Sequence, residues 1–211
     1  IGTGLVGSEM CIRDRRRVVV VYTVSFSPFI LFAYLTYKGM MKTWITYTII
    51  SSFFIAMFGW EIWLNFGLLD GQAVDLRRSE ALSCAIPSSI NWITNSLGDV
   101  SIVWFGIILL SYIFKNNNSP FEKFLLPAFV ILLSWFLIQN IWVEIVLYYN
   151  QVGGDARLSW APLMPLGPWF NPSLFSIFGR EVTFQGQIVW VLATPIYYFV
   201  MIYFYRKTKG R

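Results

Sequence analysis

Five long apolar stretches, separated by more polar connections, dominate the pattern of the sequence. They cover residues 18–37, 44–69, 89–114, 124–149 and 187–205, and each has at least 19 residues. A helix of that length rises by about 1.5 Å per residue and so crosses the roughly 30 Å hydrocarbon core of a bilayer. The pattern predicts an all-α integral membrane protein, a bundle of about five transmembrane helices.

Composition supports the membrane class and excludes several kinds of chemistry. The chain is 56% hydrophobic, 19% aromatic and 13% charged, whereas soluble domains average about 45–50% apolar and about 25% charged residues. It contains no histidine, which excludes imidazole-held haem, His-ligated zinc and a Ser-His-Asp triad. No glycine-rich phosphate loop, dense acidic loop or basic stripe interleaved with aromatics is present. We therefore expect no cofactor, no resident metal and no nucleic-acid partner.

The start of the chain has an unusual sequence. Residues 5–14, LVGSEMCIRD, resemble the conceptual translation of a transposase sequencing adapter over ten consecutive codons. We interpret residues 1–15 as non-native and residues 16–211 as a single transmembrane domain. Cys84 is then the one native cysteine, and a single cysteine cannot form an internal disulfide.

Basic residues indicate the orientation of the bundle. The C-terminal tail and the connections that would share its side carry eight lysines and arginines, against four in the connections 70–88 and 150–186. Because lysine and arginine concentrate in cytoplasmic connections, the bias predicts a multi-pass protein with a cytoplasmic C-terminus and an outer N-terminus. The small size indicates a bacterial inner (cytoplasmic) membrane.

The connection 150–186 is long and rich in proline and aromatic residues. It contains four prolines. Two interpretations remain open, a segment resting at headgroup depth and a lid over the outer mouth of the bundle. The aromatic residues concerned are Trp160, Trp169, Phe170, Phe175 and Phe178.

Polar residues recur at intervals of four within three of the apolar stretches. Residues four apart share one helix face, and polar faces in a membrane turn inward because a charge at the bilayer centre costs roughly 2.5–3.5 kcal/mol on insertion scales. A carboxylate inside an apolar stretch must therefore be paired with another group, be protonated or serve a function that offsets this cost. The candidate ligand-binding or proton-carrying residues are Glu61, Asn65, Asn91, Asn95, Asp99, Asn140 and Glu144, with Gln139 alongside.

The predicted depth of the carboxylates indicates a pocket. They lie five to ten residues from the outer ends of their helices, which corresponds to a depth of roughly 8–15 Å. The inner halves of the same helices consist almost entirely of apolar residues. This predicts a pocket open to the outside and sealed toward the cytoplasm. Aromatic faces beside carboxylates favour a cationic ligand, and the candidate lining residues are Trp60, Trp92, Trp142 and Trp190. Alternatively, the asparagines and tryptophans only hold the helices together.

Three functional classes fit this pattern. The first is a protein that binds a small cationic or amphipathic ligand in the pocket or transports it. Such a protein would contact membrane lipids and would work as a homo-oligomer or with a partner membrane subunit. The second is an enzyme that acts on a lipid or isoprenoid by carboxylate acid/base chemistry. Its five-span, aromatic-rich layout is similar in architecture to the sterol-isomerase-like and tryptophan-rich sensory protein families, although the histidine of the sterol-isomerase pattern is absent. The third is a structural subunit of a larger membrane complex.

Overall fold

The structure, a computed structural model, describes residues 3–68, 73–115, 117, 119–149 and 170–209, with the backbone alone for 3–14, 17 and 81. The helices of this part of the chain are α1 (Thr3–Tyr37), α2 (Thr43–Ala56), α3 (Ile62–Phe66), α4 (Glu80–Ala85), α5 (Ser88–Ile113), α6 (Ser119–Glu122), α7 (Leu126–Trp142) and α8 (Phe184–Lys209). The other elements are a first π segment (Met57–Glu61), a 3-10 turn (Val74–Leu76), a second π segment (Val143–Tyr148) and the strands β1 (Ser173–Ile177) and β2 (Arg180–Thr183).

Five helices are long and apolar enough to cross a membrane, as the hydrophobic pattern predicts. We call them spans 1 to 5, and they cover Val18–Tyr37, Thr43–Phe66, Ser88–Ile113, Leu126–Tyr148 and Phe184–Lys209. Span 2 combines α2, the first π segment and α3, and span 4 combines α7 with the second π segment. The predicted bounds agree with these to within four residues. The chain thus has the architecture of a multi-pass membrane protein.

Spans 3 and 5 form the centre of the bundle. Span 5 packs on spans 2 and 4, while span 3 packs on spans 1, 2 and 4. The side chains Tyr197, Tyr198 and Met201 of span 5 are fully buried, and the ring of Tyr197 lies 6.1 Å from that of Phe136 on span 4. Span 1 is more peripheral because it packs mainly on span 3 and on α4.

The two ends of the bundle differ in composition and structure. One end, the lysine-rich end, carries Lys38, Lys42, Lys115, Lys123, Arg206, Lys207 and Lys209. There Glu122 forms an ion pair with Lys209. At the other end, the cap end, residues 73–87 fold into the 3-10 turn and α4, which we call the cap segment. Its Leu82 and Ile86 pack against Val21 of span 1.

A β-hairpin at the cap end departs from the all-α prediction. Strands β1 and β2 pair antiparallel, and Ile177 opposite Arg180 closes a two-residue turn at Phe178 and Gly179. Both turn residues have positive φ, 52° and 72°, as the turns of tight hairpins require. Phe175 and Phe178 are exposed, which favours the interfacial interpretation of this part of the connection. Trp160 and Trp169 lie outside the described residues.

Each of the two π segments contains a carboxylate. Glu61 is the last residue of the first segment, and Glu144 is the second residue of the second. Both segments lie near the cap end of their spans. Single π-helical turns are rare and frequently occur at functional sites, so they direct attention to the space between Glu61 and Glu144.

Candidate intramembrane binding site

Asp99 of span 3 is held by an aromatic side chain of span 2. Trp60 Nε1 donates a hydrogen bond of 2.7 Å to Asp99 Oδ2. The ring of Trp60 lies 6.3 Å from that of Trp190 and 5.8 Å from that of Tyr197, both on span 5. The residue next to Glu61 therefore orients Asp99 and joins three spans at one level.

Glu61 ends a chain of hydrogen bonds that begins in the cap segment. Arg78 Nη1 donates to Asn91 Oδ1 at 2.9 Å, and Asn91 Nδ2 donates to Asn65 Oδ1 at 2.6 Å. Asn65 Nδ2 then donates to Glu61 Oε2 at 3.0 Å. Each donor in this chain lies on the Arg78 side of its bond and each acceptor on the Glu61 side. The guanidinium of Arg78 therefore polarises both amides toward the carboxylate.

Arg78 is a buried cation with several acceptors. Its Nη2 forms an ion pair of 2.8 Å with Asp75 Oδ1, and its side chain is 0% exposed. It also donates to the carbonyl of Ile86, and its Nε donates to Ser83 Oγ at 3.2 Å. Burial lowers the pKa of Arg78, and the bond to Asp75 opposes that shift. The guanidinium thus holds the cap segment against spans 2 and 3.

Two further arginines cover the cap ends of spans 2 and 4. Arg77 Nη2 donates to the Leu64 carbonyl at 2.6 Å, and Arg180 donates to the Ile145 carbonyl. The last carbonyls of a helix lack intrahelical donors and lie at the negative end of its dipole. Burial lowers the pKa of Arg77, and Tyr148 and Glu61 oppose that shift. Each span that carries a π segment therefore ends against a guanidinium.

Glu144 has hydrogen-bond partners on the hairpin and on span 5. Thr183 Oγ1 donates to Glu144 Oε1 at 2.6 Å, and Gln187 Nε2 donates to Oε2 at 2.8 Å. The carboxylate also lies at the start of span 5, where the helix dipole favours negative charge. Gly186 permits this approach because a Cβ there would lie 2.5 Å from Oε1. Glu144 therefore joins span 4 to the start of span 5.

Two adjoining cavities lie between these residues. The smaller, about 40 Å³, is lined by Trp60, Glu61, Asp99, Asn140, Glu144 and Trp190. The larger, about 270 Å³, is lined by Glu61 of span 2 and by residues of spans 1, 3 and 4, among them Asp99 and Tyr148. A cavity of roughly 150 Å³ can hold benzene, so the larger one has room for a small organic group. Glu61 and Asp99 line both cavities.

Two polar atoms at the cavity walls lack partners in the part of the chain that the structure describes. Gln139 Oε1 and Asn140 Nδ2 are buried and have no hydrogen-bond partner among the described residues. Leaving such an atom unsatisfied costs about 1–3 kcal/mol. In the same part of the chain, no lysine or arginine forms an ion pair within 4 Å with Glu61, Asp99 or Glu144. The described residues hold no group of three or more typical ligand side chains suited to a metal. The cavity walls therefore present carboxylates, aromatic rings and unpaired polar atoms to a ligand.

The predicted site residues fall into two groups. Asn140 and the three carboxylates line the smaller cavity, and Asn95 lines the larger one. Asn65 and Asn91 line neither cavity but connect Glu61 to Arg78.

The predicted tryptophans separate in the same way. Trp60 and Trp190 line the smaller cavity, and Trp142 lines the larger. Trp92 lies outside both cavities. Its Nε1 donates to the Met57 carbonyl at 2.6 Å, and its ring packs between Phe58 and Phe66.

Sequence reasoning missed two important side chains. Tyr148 lines both cavities and follows Glu144 at the helical interval of four, so the spacing rule could have found it. Arg78 lies in a connection without helical periodicity, and no local pattern relates it to Asn91.

No known protein family, no curated protein and no solved structure matches the chain.

Proposed function

We propose that the chain is a membrane protein that binds a small organic cation inside the bundle, as a receptor or as a step of transport. Glu61 and Asp99 supply the negative charge, and Tyr148, Trp60 and Trp190 supply aromatic surface. The observation that supports this most directly is that Glu61 and Asp99 line both cavities without an ion-paired lysine or arginine within 4 Å among the described residues.

The chemistry of the walls favours an organic cation over a metal ion. Aromatic faces attract cations by about 0.5–2 kcal/mol, more where water is excluded. A quaternary ammonium group needs such faces and a nearby charge but no hydrogen bonds. Trp60 contributes in two ways, since its ring lies on the smaller cavity and its indole nitrogen fixes Asp99.

The proposal includes the orientation of the bundle in the membrane. We place the lysine-rich end in the cytoplasm and the cap end outside a bacterial inner membrane, because basic residues concentrate on cytoplasmic connections. The carboxylates then lie in the outer half of the bilayer.

The test is a calorimetric measurement of the equilibrium binding of phenyltrimethylammonium to the purified full chain in detergent. We expect saturable binding and at least about tenfold weaker binding for Asp99→Asn and Glu61→Gln, a loss of about 1.4 kcal/mol or more. The neutral isostere tert-butylbenzene should not respond to these substitutions.

Glu122→Gln is the matched control, because it removes a carboxylate at the lysine-rich end, where Glu122 pairs with Lys209. It should leave cation binding unchanged. Equal affinity of all variants for the cation would overturn the proposal and leave the carboxylates with a role in helix assembly.

A further inference from the structure

The larger cavity is a cleft with walls on spans 1 and 4. Val21, Val24 and Pro28 of span 1 form one wall, and Trp142 and Leu147 of span 4 form the other. Span 3 packs on both spans and supplies the floor between them. On span 4 the lining runs from Trp135 to Tyr148, which corresponds to about 20 Å along the helix axis.

The cleft is open on the side that faces away from the bundle. Val24, Phe105 and Trp142, which line it, are 43%, 45% and 49% exposed. All three belong to membrane-crossing spans, where an exposed apolar side chain faces lipid. The opening is therefore directed toward the hydrocarbon of the bilayer.

Polarity changes along the cleft. Of its lining residues, Glu61 is buried and Asp99 and Tyr148 are half-buried, whereas the apolar Val24, Phe105 and Trp142 are exposed at its open side. Toward the cap end, Glu61 is covered by Asn65, Asn91 and Arg78, which are at most 5% exposed. A ligand that fits this arrangement has a cationic end for the carboxylates and an apolar part for the cleft.

We infer that the cleft between spans 1 and 4 is a lateral entrance from the bilayer, and that its ligand is a single-chain amphiphile with a cationic headgroup. The inference rests on the proposed function, which it deepens by naming the ligand class and the direction of entry. The headgroup binds beside Glu61 and Asp99, and the chain extends past Val24 and Trp142 into the lipid.

The test compares two cations on the full chain in zwitterionic lipid nanodiscs, with empty nanodiscs as background. Radiolabelled decyltrimethylammonium carries a chain, and phenyltrimethylammonium does not. We expect the chain to tighten binding at least about tenfold, the equivalent of two or more buried methylenes at about 0.8 kcal/mol each.

Two substitutions obstruct the cleft without removing a charge. Val24→Trp fills its open side, and Gly98→Leu fills its floor, where an added Cβ meets nothing within 4 Å. Both should weaken decyltrimethylammonium binding at least about tenfold, and each should weaken it by a larger factor than it weakens phenyltrimethylammonium binding. Val191→Trp is the matched control, because Val191 is an exposed valine of span 5 that does not line the cleft.

The outcomes separate the two proposals. If both cleft variants bind decyltrimethylammonium as the wild type does while Asp99→Asn still weakens both cations, lateral entry is wrong and the cation site stands. If Asp99→Asn leaves both cations unaffected, the cation site itself is wrong. Because the two cleft variants are independent, a folding defect in one leaves the other to decide.

Discussion

The carboxylate of Glu144 occupies the space that a side chain at Gly186 would need, since a Cβ there would lie 2.5 Å from Oε1 and 3.2 Å from Thr183 Oγ1. Gly186→Ala should therefore displace the carboxylate from Thr183. We expect a loss of about 1–3 kcal/mol, typical of overpacking, measured as a lower Tm in detergent.

Gly59→Ala is the control for that change, because an added Cβ at Gly59 meets nothing within 4 Å. In a helical position without a clash, glycine to alanine stabilises by up to about 1 kcal/mol. An unchanged Tm for Gly186→Ala would show that Glu144 moves away without cost.

Trp60→Phe should distinguish the role of Trp60 in orienting Asp99 from its role in helix packing. The substitution keeps a ring but removes the donor of the 2.7 Å bond to Asp99 Oδ2, so an unsatisfied acceptor costs about 1–3 kcal/mol. We also expect about tenfold weaker phenyltrimethylammonium binding. Trp92→Phe removes a comparable bond to the Met57 carbonyl outside both cavities, and should lower Tm without changing cation affinity. Similar affinity losses in both variants would mean that the effect is general instability.

Arg78→Met should be severely destabilising. It removes the donors to Asp75 Oδ1 and Asn91 Oδ1. Because Asp75 is partly exposed and keeps the bond from Ser88 N, we expect a cost of about 3 kcal/mol, the lower end of the range for breaking a buried ion pair from one side. Lys38→Met, at an exposed lysine, should stay within about 0.5 kcal/mol of wild type.

A double-mutant cycle tests whether the chain of hydrogen bonds acts as a unit. Arg78 and Asn65 are joined through Asn91, so combining Arg78→Met with Asn65→Leu should give a coupling of about 0.5–3 kcal/mol in unfolding free energy. Additive effects would show that the links act independently.

Orientation is testable with the native Cys84, which is exposed in the cap segment. In a Cys11→Ser background, a membrane-impermeant maleimide added to intact bacterial cells should label Cys84. Tyr37→Cys, in a Cys11→Ser and Cys84→Ser background, should react only after permeabilisation, because Tyr37 is 85% exposed near the lysine-rich end. The reverse pattern would overturn the assignment of the cytoplasmic side.

The spans were predictable because their sequence signal is local. An apolar run of 19 or more residues specifies a membrane-length helix by itself, and the interval of four placed Glu61 and Asn65 on one face. The meeting of Glu61, Asp99 and Glu144 around one cavity follows from the cost of leaving each carboxylate in lipid.

The missed features depend on contacts between distant parts of the chain or on weak local signals. Arg78 reaches Asn91 only because the cap segment folds back over span 3. The π segments have no distinguishing composition. The hairpin had a signal, since Gly179 lies between two short runs rich in apolar and β-branched residues, but the aromatic content of the connection obscured it.

The π segments make the direction of the cavity-lining residues that end them, Glu61 and Tyr148, depend on chain length. A π-helical turn closes its hydrogen bond one residue later than an α-helical turn, and each α-helical residue advances the chain by about 100° around the axis. Deleting Gly59 from the first π segment would allow a regular turn and rotate Glu61 and Asn65 together by about that angle relative to α2. In span 2 the inserted residue thus determines whether Glu61 faces the cavity that it shares with Asp99 or faces lipid. In span 4, where Glu144 is the second residue of the π segment and Tyr148 the last, it determines the direction of Tyr148.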